Sequence, residues 1–584
     1  MSITAPLSPS AAADSSGFSR ADREALDTTI AELRAGEKTW SATSLTARVA
    51  LLGRTHAAVA AVAREWVTTA GDIKGLDPQS SLMGEEWISG PYPMLTSLGT
   101  LMHSLQALAA RKSPLAGTKF GTAPGGRTTV KVLPHNAYEA ILLHGMKAEV
   151  WMPPGVAAST ATSHAGIAAK RPTLTHGIGL VLGAGNITSI APLDVLYELV
   201  AANRVALLKL NPVMAAMEPV YTKALAPLID AGVVRIVQGG AEAGGYLAHH
   251  ADIAHVHITG SAATHDVVVF GTGDEGRARK TANEPLLDKP ITSELGGVSP
   301  IIIVPGDWSP RDLKYQAEHV ATMRLHNGGY NCIAGQVVVI SSAWKLKRAF
   351  LAELRSALTR APARPAWYPG SASRVAQATE SYPDAQKLGE DGCRLLLSST
   401  AANATPMKQT EYFSPVLGVV EIAGSGQVFL DNAVAVVNDE FTGTLGANVL
   451  IAPKEIKRLG KGFREAISRL RYGTIAINAW TGLGFLTATA PWGAFPGHTL
   501  ADIQSGRGVV HNALLISAPE RTVVTGPFRP FPRSVAGGEF ALFPKPPWFV
   551  TARSAAATGE KLVDFAAKPG WLKMPGVFAA AFRA

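Results

Sequence analysis

The chain has 584 residues, of which 47% are hydrophobic and 17% are charged. This length exceeds what a single hydrophobic core usually organises, so two or three globular domains are predicted and a disordered chain is excluded. The apolar residues come in short runs broken by glycine and proline. None of these runs approaches the roughly 20 apolar residues that a membrane-spanning helix needs, so no such helix is predicted.

The formal net charge is +9, but nine basic and only three acidic residues lie after position 520. Because the excess is concentrated at one end, the charge does not predict a nucleic-acid partner. Two cysteines in so long a chain exclude a disulfide framework and fit a reducing compartment. The N-terminus lacks the basic start and apolar segment of a signal peptide, so the cytoplasm is the expected location.

Residues 1–19 form a Ser- and Ala-rich segment that predicts a flexible tail. From about residue 20 to 110 the apolar positions recur at helical spacing, as in Leu45, Val49 and Leu52, which predicts a helical layer. Within 128–152 the runs TTVKVLP and EVWMPPG are typical of strands. These two predicted strands precede the regular alternation of strands and helices that follows in the chain. Strands in such positions often form sheet edges or arms.

After residue 171 short β-rich runs alternate with helical stretches, beginning with GIGLVLG, VALLKL, VVRIVQG and HVHITG. This rhythm predicts a parallel sheet with crossover helices, which is a nucleotide-binding layout. A second alternation begins at Ile291 and runs through VSPIIIV, QVVVIS, GVVEI, ANVLIA and TIAIN. It predicts a second α/β domain.

Four segments occur in a fixed order: VLGAGNITS around Asn186, HITGSAAT around Gly260, ITSELGGVSP around Glu294 and HNGGYNCIAGQ around Cys332. Together with EYFSPV from Glu411 and the later APWGAF, they resemble the aldehyde dehydrogenase superfamily. The resemblance covers roughly residues 45–507, and it is the ordered set that is specific.

The resemblance implies an α/β fold with three parts. A Rossmann-type cofactor domain would comprise 20–127 and 153–288, and a second α/β catalytic domain would comprise 289–494. A β-strand oligomerisation arm would comprise 128–152 with part of 495–520. Residues 521–584 have no counterpart in the family core and form a C-terminal extension.

Cys332 is the predicted nucleophile. Oxidising an aldehyde by hydride transfer requires a group that converts the carbonyl into a tetrahedral adduct able to expel hydride, and a thiolate does this well. The surrounding NGGYNCIAG is rich in glycine, so backbone amides can approach the sulfur. Cys393, in EDGCRLLL, lacks such surroundings and is interpreted as structural.

Glu294 and Asn186 are the other predicted catalytic residues. The resemblance makes Glu294 the general base that activates water against the thioester, a role suited to a carboxylate followed by two glycines. Asn186 would donate its side-chain amide to the developing oxyanion. The two residues before it are Ala184 and Gly185, where the family usually has Pro and Trp.

The resemblance also implies a dinucleotide cofactor, either NAD or NADP, and no metal is expected. Gly260 and Ser261 would meet the pyrophosphate at the start of the following helix. Lys209 would reach the adenosine ribose, where an ammonium can also meet a 2′-phosphate. The acidic residue that NAD-preferring members often carry three positions later is Pro212 here, which leaves the choice open.

The remaining predicted site residues follow from two motifs. Glu411 and Phe413 match the pair that grips the nicotinamide ribose and packs near its ring. Three apolar residues fall where the family lines its substrate tunnel, which favours an apolar aliphatic or aromatic aldehyde over a charged one. These residues are Trp480, Leu483 and Phe485.

Two departures from the family are visible. Residues 270–290 form a longer, charged segment that predicts an exposed excursion near the cofactor. The extension interleaves proline with ten Phe and Trp residues, which must be hidden. It is expected to pack on a neighbouring subunit, to roof the substrate entrance, or to touch an anionic membrane surface.

The sequence thus predicts NAD(P)-dependent oxidation of a small-molecule aldehyde to the carboxylic acid in a homo-oligomer, a dimer or a tetramer as is the family's habit. A CoA-acylating enzyme on the same fold is the first alternative, disfavoured because such relatives commonly lack a carboxylate at the position of Glu294. A catalytically idle scaffold is the second, disfavoured because thiol, carboxylate and amide are all present.

Overall fold

The computed structural model of the chain describes residues 18–390, 392–399 and 403–584. Most of the predicted N-terminal tail, residues 1–17, therefore lies outside the described residues. Among those described, no helix is both long and apolar enough to cross a bilayer.

A layer of helices opens the described chain, as its apolar spacing predicts. Ser19 begins the first helix with a reciprocal capping box to Asp22, and Ser44 caps the second. The long second helix packs along the fourth and against the helices that flank the first sheet. The helices of this layer are Arg20–Ala42, Leu45–Ile73, Met83–Ser89 and Pro91–Ala109.

The first sheet has six strands, and five of them are parallel. Its strands, in spatial order, are Gly506–Arg507, Ile291–Leu295, Ile253–Gly260, Ile178–Leu182, Val205–Lys209 and Val234–Val237. The associated helices are Ile190–Leu196, Glu218–Ala224, Ala226–Asp230, Ala241–His249, Ala262–Phe270 and Gly273–Ala282. Strand Ile291–Leu295, predicted to begin the second domain, pairs with Ile253–Gly260 instead, which places Glu294 at the margin of the first sheet.

The second sheet has eleven strands, and its centre is parallel. In strand Gly335–Ser341, Val338 and Ile340 enter one hydrophobic core while Val337 and Val339 enter the core on the opposite face. A continuous β-branched run is therefore buried on both sides, as expected of a parallel strand. The eleven strands, in spatial order, are Phe120–Ala123, Arg127–Leu133, Lys147–Trp151, Arg521–Thr525, Thr474–Ile477, Gly446–Leu450, Ser299–Ile303, Gly335–Ser341, Val416–Ile422, Arg394–Ser398 and Gln386–Leu388.

The helices around the second sheet complete this half of the fold. Those between its strands are Pro310–Leu325, Lys347–Arg360, Ser371–Ser381, Thr405–Gln409, Gly426–Asp439, Pro453–Leu459, Lys461–Arg469 and Gly482–Leu486. Short helices Ala137–Leu142 and Ala158–His164 flank the strands of the predicted arm.

The predicted arm joins the second sheet of its own chain. Strand Lys147–Trp151 pairs antiparallel with Arg521–Thr525, which in turn pairs in parallel with Thr474–Ile477. The strand that pairs with the arm therefore comes from RTVVT, in the predicted extension. The β-branched residues of this segment fit a buried strand. Within 495–520 the strand Gly506–Arg507 pairs with Glu294 and Ser293 rather than with the arm.

The C-terminal extension also folds against its own chain. Phe528 and Phe549 are almost fully buried in the core of the second domain. Arg529 donates two hydrogen bonds of 2.8 Å to Asp312, the N3 residue of helix Pro310–Leu325. Helices Arg533–Ala536, Ala555–Ala567 and Met574–Ala581 follow. Phe528 and Phe549 are thus hidden without a neighbouring subunit, whereas Phe540, Trp571 and Phe582 of the extension remain exposed.

The charged segment 270–290 is exposed and mostly helical. Helix Gly273–Ala282 folds back on Ala262–Phe270, and Lys280 donates to Asp266 across the two helices at 2.6 Å. The C-cap residue of helix Gly273–Ala282, Asn283, has the left-handed backbone conformation that often ends a helix. The excursion therefore adds a second helix that folds back on the helix capped by Ser261.

Candidate active site

A mostly apolar cavity lies where the two sheets meet the N-terminal helical layer. Its volume, including space open to solvent, is about 440 Å³. Three different parts of the chain form its wall: the N-terminal helices, the loop after strand Ile178–Leu182, and the second domain. The lining residues include Ile88, Asn186, Ile187, Ile190, His326, Cys332, Trp480, Phe485 and Trp492.

Cys332 reaches this cavity because of a sharp turn. Ser309 starts helix Pro310–Leu325 with a capping box, and the helix ends just before the turn. Asn327, Gly328 and Gly329 then adopt successive left-handed backbone conformations, with φ of 55°, 69° and 83°. Such a run requires residues that tolerate positive φ, which explains the HNGG sequence before the cysteine.

The Cys332 thiol lies within interaction range of the Glu294 carboxylate. Burial, and then the charge of Glu294, raise the pKa of Cys332 well above its ordinary value. Burial also raises the pKa of Glu294 to about 7, while the interactions with Cys332 and Trp492 lower it. The base is therefore poised near neutral pH.

Trp492 holds the carboxylate in place from the other side. Its Nε1 donates to Glu294 Oε1 at 3.1 Å, and the Glu294 side chain is only 3% exposed. Trp492 belongs to the APWGAF motif, one of the segments that carry the family resemblance. The motif therefore marked this segment in the sequence, but the hydrogen bond from its indole to Glu294 was not predicted.

Asn186 lies on the cavity wall beside the cysteine loop. Its Nδ2 donates to the carbonyl of Tyr330 at 2.9 Å, and the second hydrogen of the amide remains for another acceptor. Asn327 Nδ2 donates to the backbone carbonyl of Asn186 at 3.1 Å. A Cβ at Gly185 would stand 2.7 Å from Asn211, so the departure from the family's usual residues fits the packing here.

The predicted pyrophosphate and ribose residues lie at the carboxyl ends of two parallel strands of the first sheet, one on each side of strand Ile178–Leu182. Ser261 caps helix Ala262–Phe270, accepting a hydrogen bond from the Thr264 N–H at 3.1 Å, and Gly260 beside it is exposed. Lys209 ends its strand with its side chain mostly buried, and burial lowers its pKa to about 8. Within the described part of the chain, no acidic side chain pairs with this ammonium.

Glu411 and Phe413 lie on the second-domain side. Burial raises the pKa of Glu411 to about 8, while the charge of Arg324 lowers it. Glu411 Oε1 is buried and has no hydrogen-bond partner among the described residues. Phe413 packs on Tyr368 and Tyr330, with ring centroids 5.0 and 6.1 Å apart. A buried carboxylate oxygen without a partner fits a ligand hydroxyl donor.

Two of the three predicted tunnel residues line the cavity. Trp480 packs on His326 with ring centroids 4.6 Å apart, and Phe485 packs on Trp492 at 5.6 Å. Leu483 does not line it; its side chain is 2% exposed and belongs to the core of the second domain. In a short helix, residues two apart point in different directions, so Leu483 and Phe485 cannot share the cavity wall.

The sequence did not predict the N-terminal contribution to the cavity. Ile88 and Ser89 end the short helix Met83–Ser89 and line the wall opposite Trp480. Their helix is held by buried charges: Lys74 donates to Glu86 at 2.9 Å, and Arg364 contacts Glu85. Nothing in the local pattern EEWIS distinguishes these residues from ordinary core residues.

Known proteins resemble this chain in sequence and in fold. The pattern of the aldehyde dehydrogenase family matches residues 175–495. A segment of 94 residues is 40% identical to mouse (Mus musculus) 4-trimethylaminobutyraldehyde dehydrogenase, a match that spans only 16% of either chain. This match covers too little of either chain to indicate the activity of the whole protein.

Solved structures share the fold across most of the chain. An NADP-dependent glyceraldehyde-3-phosphate dehydrogenase from Bacillus halodurans, complexed with NADP, has a TM-score of 0.58 and 17% identity, covering 86% of this chain and 91% of its own. An indole-3-acetaldehyde dehydrogenase complexed with NAD⁺ has a TM-score of 0.56 and 17% identity, covering 86% and 89%. Since the family pattern matches more than half of the chain and spans Asn186, Glu294 and Cys332, the protein belongs to the aldehyde dehydrogenase family.

Proposed function

We propose that the protein oxidises an aldehyde to the carboxylic acid with NAD or NADP as hydride acceptor. The observation that carries the proposal is the Cys332 thiol at the wall of an apolar cavity, with the buried Glu294 carboxylate held beside that wall by the cavity-lining Trp492. A thiol nucleophile and a carboxylate base with a pKa near 7 are the two groups that acyl formation and hydrolysis require.

Three features of the chain fit a dinucleotide. Lys209 is a mostly buried cation without an acidic partner in the described residues, as a ribose or 2′-phosphate contact would be. Helix Ala262–Phe270 presents its N-terminus and the Ser261 cap to solvent, where a pyrophosphate is stabilised. Glu411 offers a carboxylate oxygen for the ribose beside the nicotinamide. When bound, the nicotinamide supplies the acceptor for the hydride that leaves the substrate carbon.

The remaining chemistry belongs to side chains of the protein. The Cys332 thiolate adds to the aldehyde carbon, and Asn186 and the Cys332 backbone N–H stabilise the oxyanion. Loss of hydride leaves a thioester on Cys332. Glu294 then takes a proton from water, the resulting hydroxide attacks the thioester carbon, and the carbon–sulfur bond breaks to release the acid.

The cavity favours an apolar aldehyde. Ile88, Ile187, Ile190, Trp480 and Phe485 would desolvate an aliphatic or aromatic chain on binding. The relatives' names include charged aldehydes, but those names describe those proteins alone. We propose aliphatic and aromatic aldehydes as the substrate class.

The direct test is a panel of apolar and charged aldehydes, each assayed with NAD and with NADP, in the presence and absence of CoA. We expect NAD(P)H formation with apolar aldehydes and the free acid as product whether or not CoA is added. Product formed only as an acyl-CoA would favour the CoA-acylating alternative. No oxidation of any aldehyde would favour the idle scaffold.

Asn186→Ala tests the oxyanion role. Removing one donor from an oxyanion site usually costs about 10²- to 10³-fold in rate, so kcat should fall by that factor while cofactor affinity is unchanged. Steady-state kinetics and cofactor titration measure the two effects. Ser189→Ala, whose hydroxyl bonds to the Ser89 carbonyl, is a nearby control outside the reacting atoms. A kcat that stays within twofold of the wild type would remove Asn186 from the mechanism.

We propose that the protein forms a homo-oligomer and works in a reducing compartment, the cytoplasm, which keeps Cys332 reduced. The exposed apolar side chains Trp571, Leu572 and Phe582 of the extension mark the surface available to a second copy. An anionic membrane is the alternative partner, since Lys568, Lys573 and Arg583 lie close to them in the sequence. A solution mass equal to a single chain would contradict the oligomer.

A further inference from the structure

A buried carboxylate from the N-terminal layer reaches the turn that presents Cys332. Glu85 belongs to the short helix Met83–Ser89, and its side chain is only 4% exposed. Its Oε2 accepts a hydrogen bond of 2.8 Å from the backbone N–H of Asn327, which lies 242 residues later in the chain. Asn327 is the first of the three left-handed residues before the cysteine. The carboxylate therefore holds the turn at the residue where its positive φ angles begin.

An arginine covers the same turn and pairs with this carboxylate. Arg364 contacts Glu85, and both side chains are mostly buried. A Cβ at Gly328 would stand 2.9 Å from Arg364 Cδ, so the arginine stem packs directly on the second residue of the turn. Burial favours the neutral form of Glu85, but the charge of Arg364 and the hydrogen bond from Asn327 lower its pKa. Glu85 is therefore a charged acceptor, and such hydrogen bonds are stronger than those between neutral groups.

Asn327 connects this contact to the reacting groups. Its side-chain amide donates to the backbone carbonyls of Asn186 and Tyr330, both at 3.1 Å. The Asn186 side chain in turn donates to the Tyr330 carbonyl at 2.9 Å. Asn327 thus joins the proposed oxyanion donor to the segment just before Cys332. A shift of Asn327 would therefore displace both groups.

The helix that carries Glu85 also forms part of the substrate cavity. Ile88 and Ser89 end this helix and line the cavity wall. The neighbouring Glu86 is also buried, but it accepts a hydrogen bond of 2.9 Å from Lys74 of the N-terminal layer. The two adjacent carboxylates therefore have different partners, and Glu85 is the one that bonds to the cysteine turn.

We propose that Glu85 is a positioning residue, which couples the wall of the substrate cavity to the nucleophile turn and holds Cys332 where it can attack the aldehyde. The inference rests on the proposed function. A displacement of about 1 Å at a reacting group can cost about 10²-fold in rate. Without the Glu85–Asn327 hydrogen bond the turn should relax and kcat should fall. The displaced thiol would also leave the burial that raises its pKa, so it should react faster with a simple alkylating agent.

Two double variants that differ only in the hydrogen bond to the turn test this role. Both replace Arg364 with methionine, so that no unpaired charge is left in the interior. E85Q/R364M keeps a side-chain oxygen for the Asn327 N–H, whereas E85L/R364M removes it. For E85L/R364M we expect kcat to fall by about 10²-fold, with unchanged cofactor affinity and faster alkylation of Cys332 at neutral pH. E85Q/R364M should stay close to the wild type in all three properties.

Steady-state kinetics, cofactor titration and mass spectrometry of the Cys332 peptide after iodoacetamide labelling measure these properties. E86L/K74M is the matched control, because it removes the neighbouring buried pair by the same kind of substitutions and should keep the wild-type kcat and labelling rate. If E85L/R364M does not fold, Glu85→Asp tests the same contact. Aspartate keeps the charge beside Arg364 but withdraws the carboxylate from Asn327 by one methylene, so kcat should fall in the same direction.

A wild-type kcat and labelling rate in E85L/R364M, or in E85D in its place, would overturn the inference. An equal loss of kcat in E86L/K74M would also overturn it, because the effect would then come from the helix and not from the contact with the turn. A wild-type protein that oxidises no aldehyde would overturn the proposed function alone, since the labelling comparison needs no aldehyde.

Discussion

Cys332→Ala is expected to abolish aldehyde oxidation, with kcat reduced by about 10⁴-fold or more, since Cys332 is the one thiol among the described residues that line the cavity. Cofactor binding should be unchanged, because Lys209, Ser261 and Glu411 belong to other elements. Steady-state NAD(P)H formation and a cofactor titration measure the two properties.

Cys393→Ala is the matched control. Cys393 is exposed and far along the chain from the cavity elements, so its loss should leave kcat within about twofold of the wild type, as for most surface substitutions. Substantial oxidation by C332A, or its loss in C393A, would contradict the assignment of the nucleophile.

Glu294→Gln is expected to separate the two halves of the reaction. Hydride transfer needs only the thiolate, so each active site should form one NAD(P)H and then stall as the thioester. General-base catalysis contributes about 10²- to 10⁴-fold, and the steady-state rate should fall by that factor. Rapid-mixing absorbance measures the first turnover and the stalled rate. An E294Q enzyme that turns over normally would show that another base activates water.

The pH dependence of the wild type follows from the same carboxylate. Glu294 acts as a base only when ionised, and burial raises its pKa to about 7, so hydrolysis should rise with pH through 7 and then level off. The Glu294 charge also raises the pKa of Cys332. In E294Q the rising limb should disappear, while alkylation of Cys332 at neutral pH should become faster than in the wild type.

Much of the site was predictable because its elements are local motifs. The alternation of β-rich and helical runs predicted both sheets, and the family resemblance implied that Cys332, Glu294 and Asn186 would share a site. Asn186 and Cys332 line one cavity, and Glu294 is bonded to Trp492, which lines the same cavity. The failure at Leu483 has a simple cause: motif position identifies the segment GLGFL but not which of its side chains faces the cavity.

Other features depend on contacts between distant segments, which the sequence does not display. The position of Glu294 depends on the register of Ile291–Leu295 against Ile253–Gly260, and periodicity alone does not give it. Likewise RTVVT reads as part of a proline-rich extension, yet Arg521–Thr525 lies in the second sheet between the arm and Thr474–Ile477. The position of Ile88 in the cavity wall could not be predicted, because it depends on how the N-terminal helices pack.

The covalent adduct on Cys332 is the central claim, and E294Q provides the means to trap it. The variant would be mixed with an apolar aldehyde and NAD or NADP, quenched in acid, digested and analysed by mass spectrometry. The account predicts that the peptide containing Cys332 gains the mass of the acyl group, in an amount equal to the NAD(P)H formed. Formation of NAD(P)H with Cys332 unmodified, or with the acyl group on another residue, would contradict it.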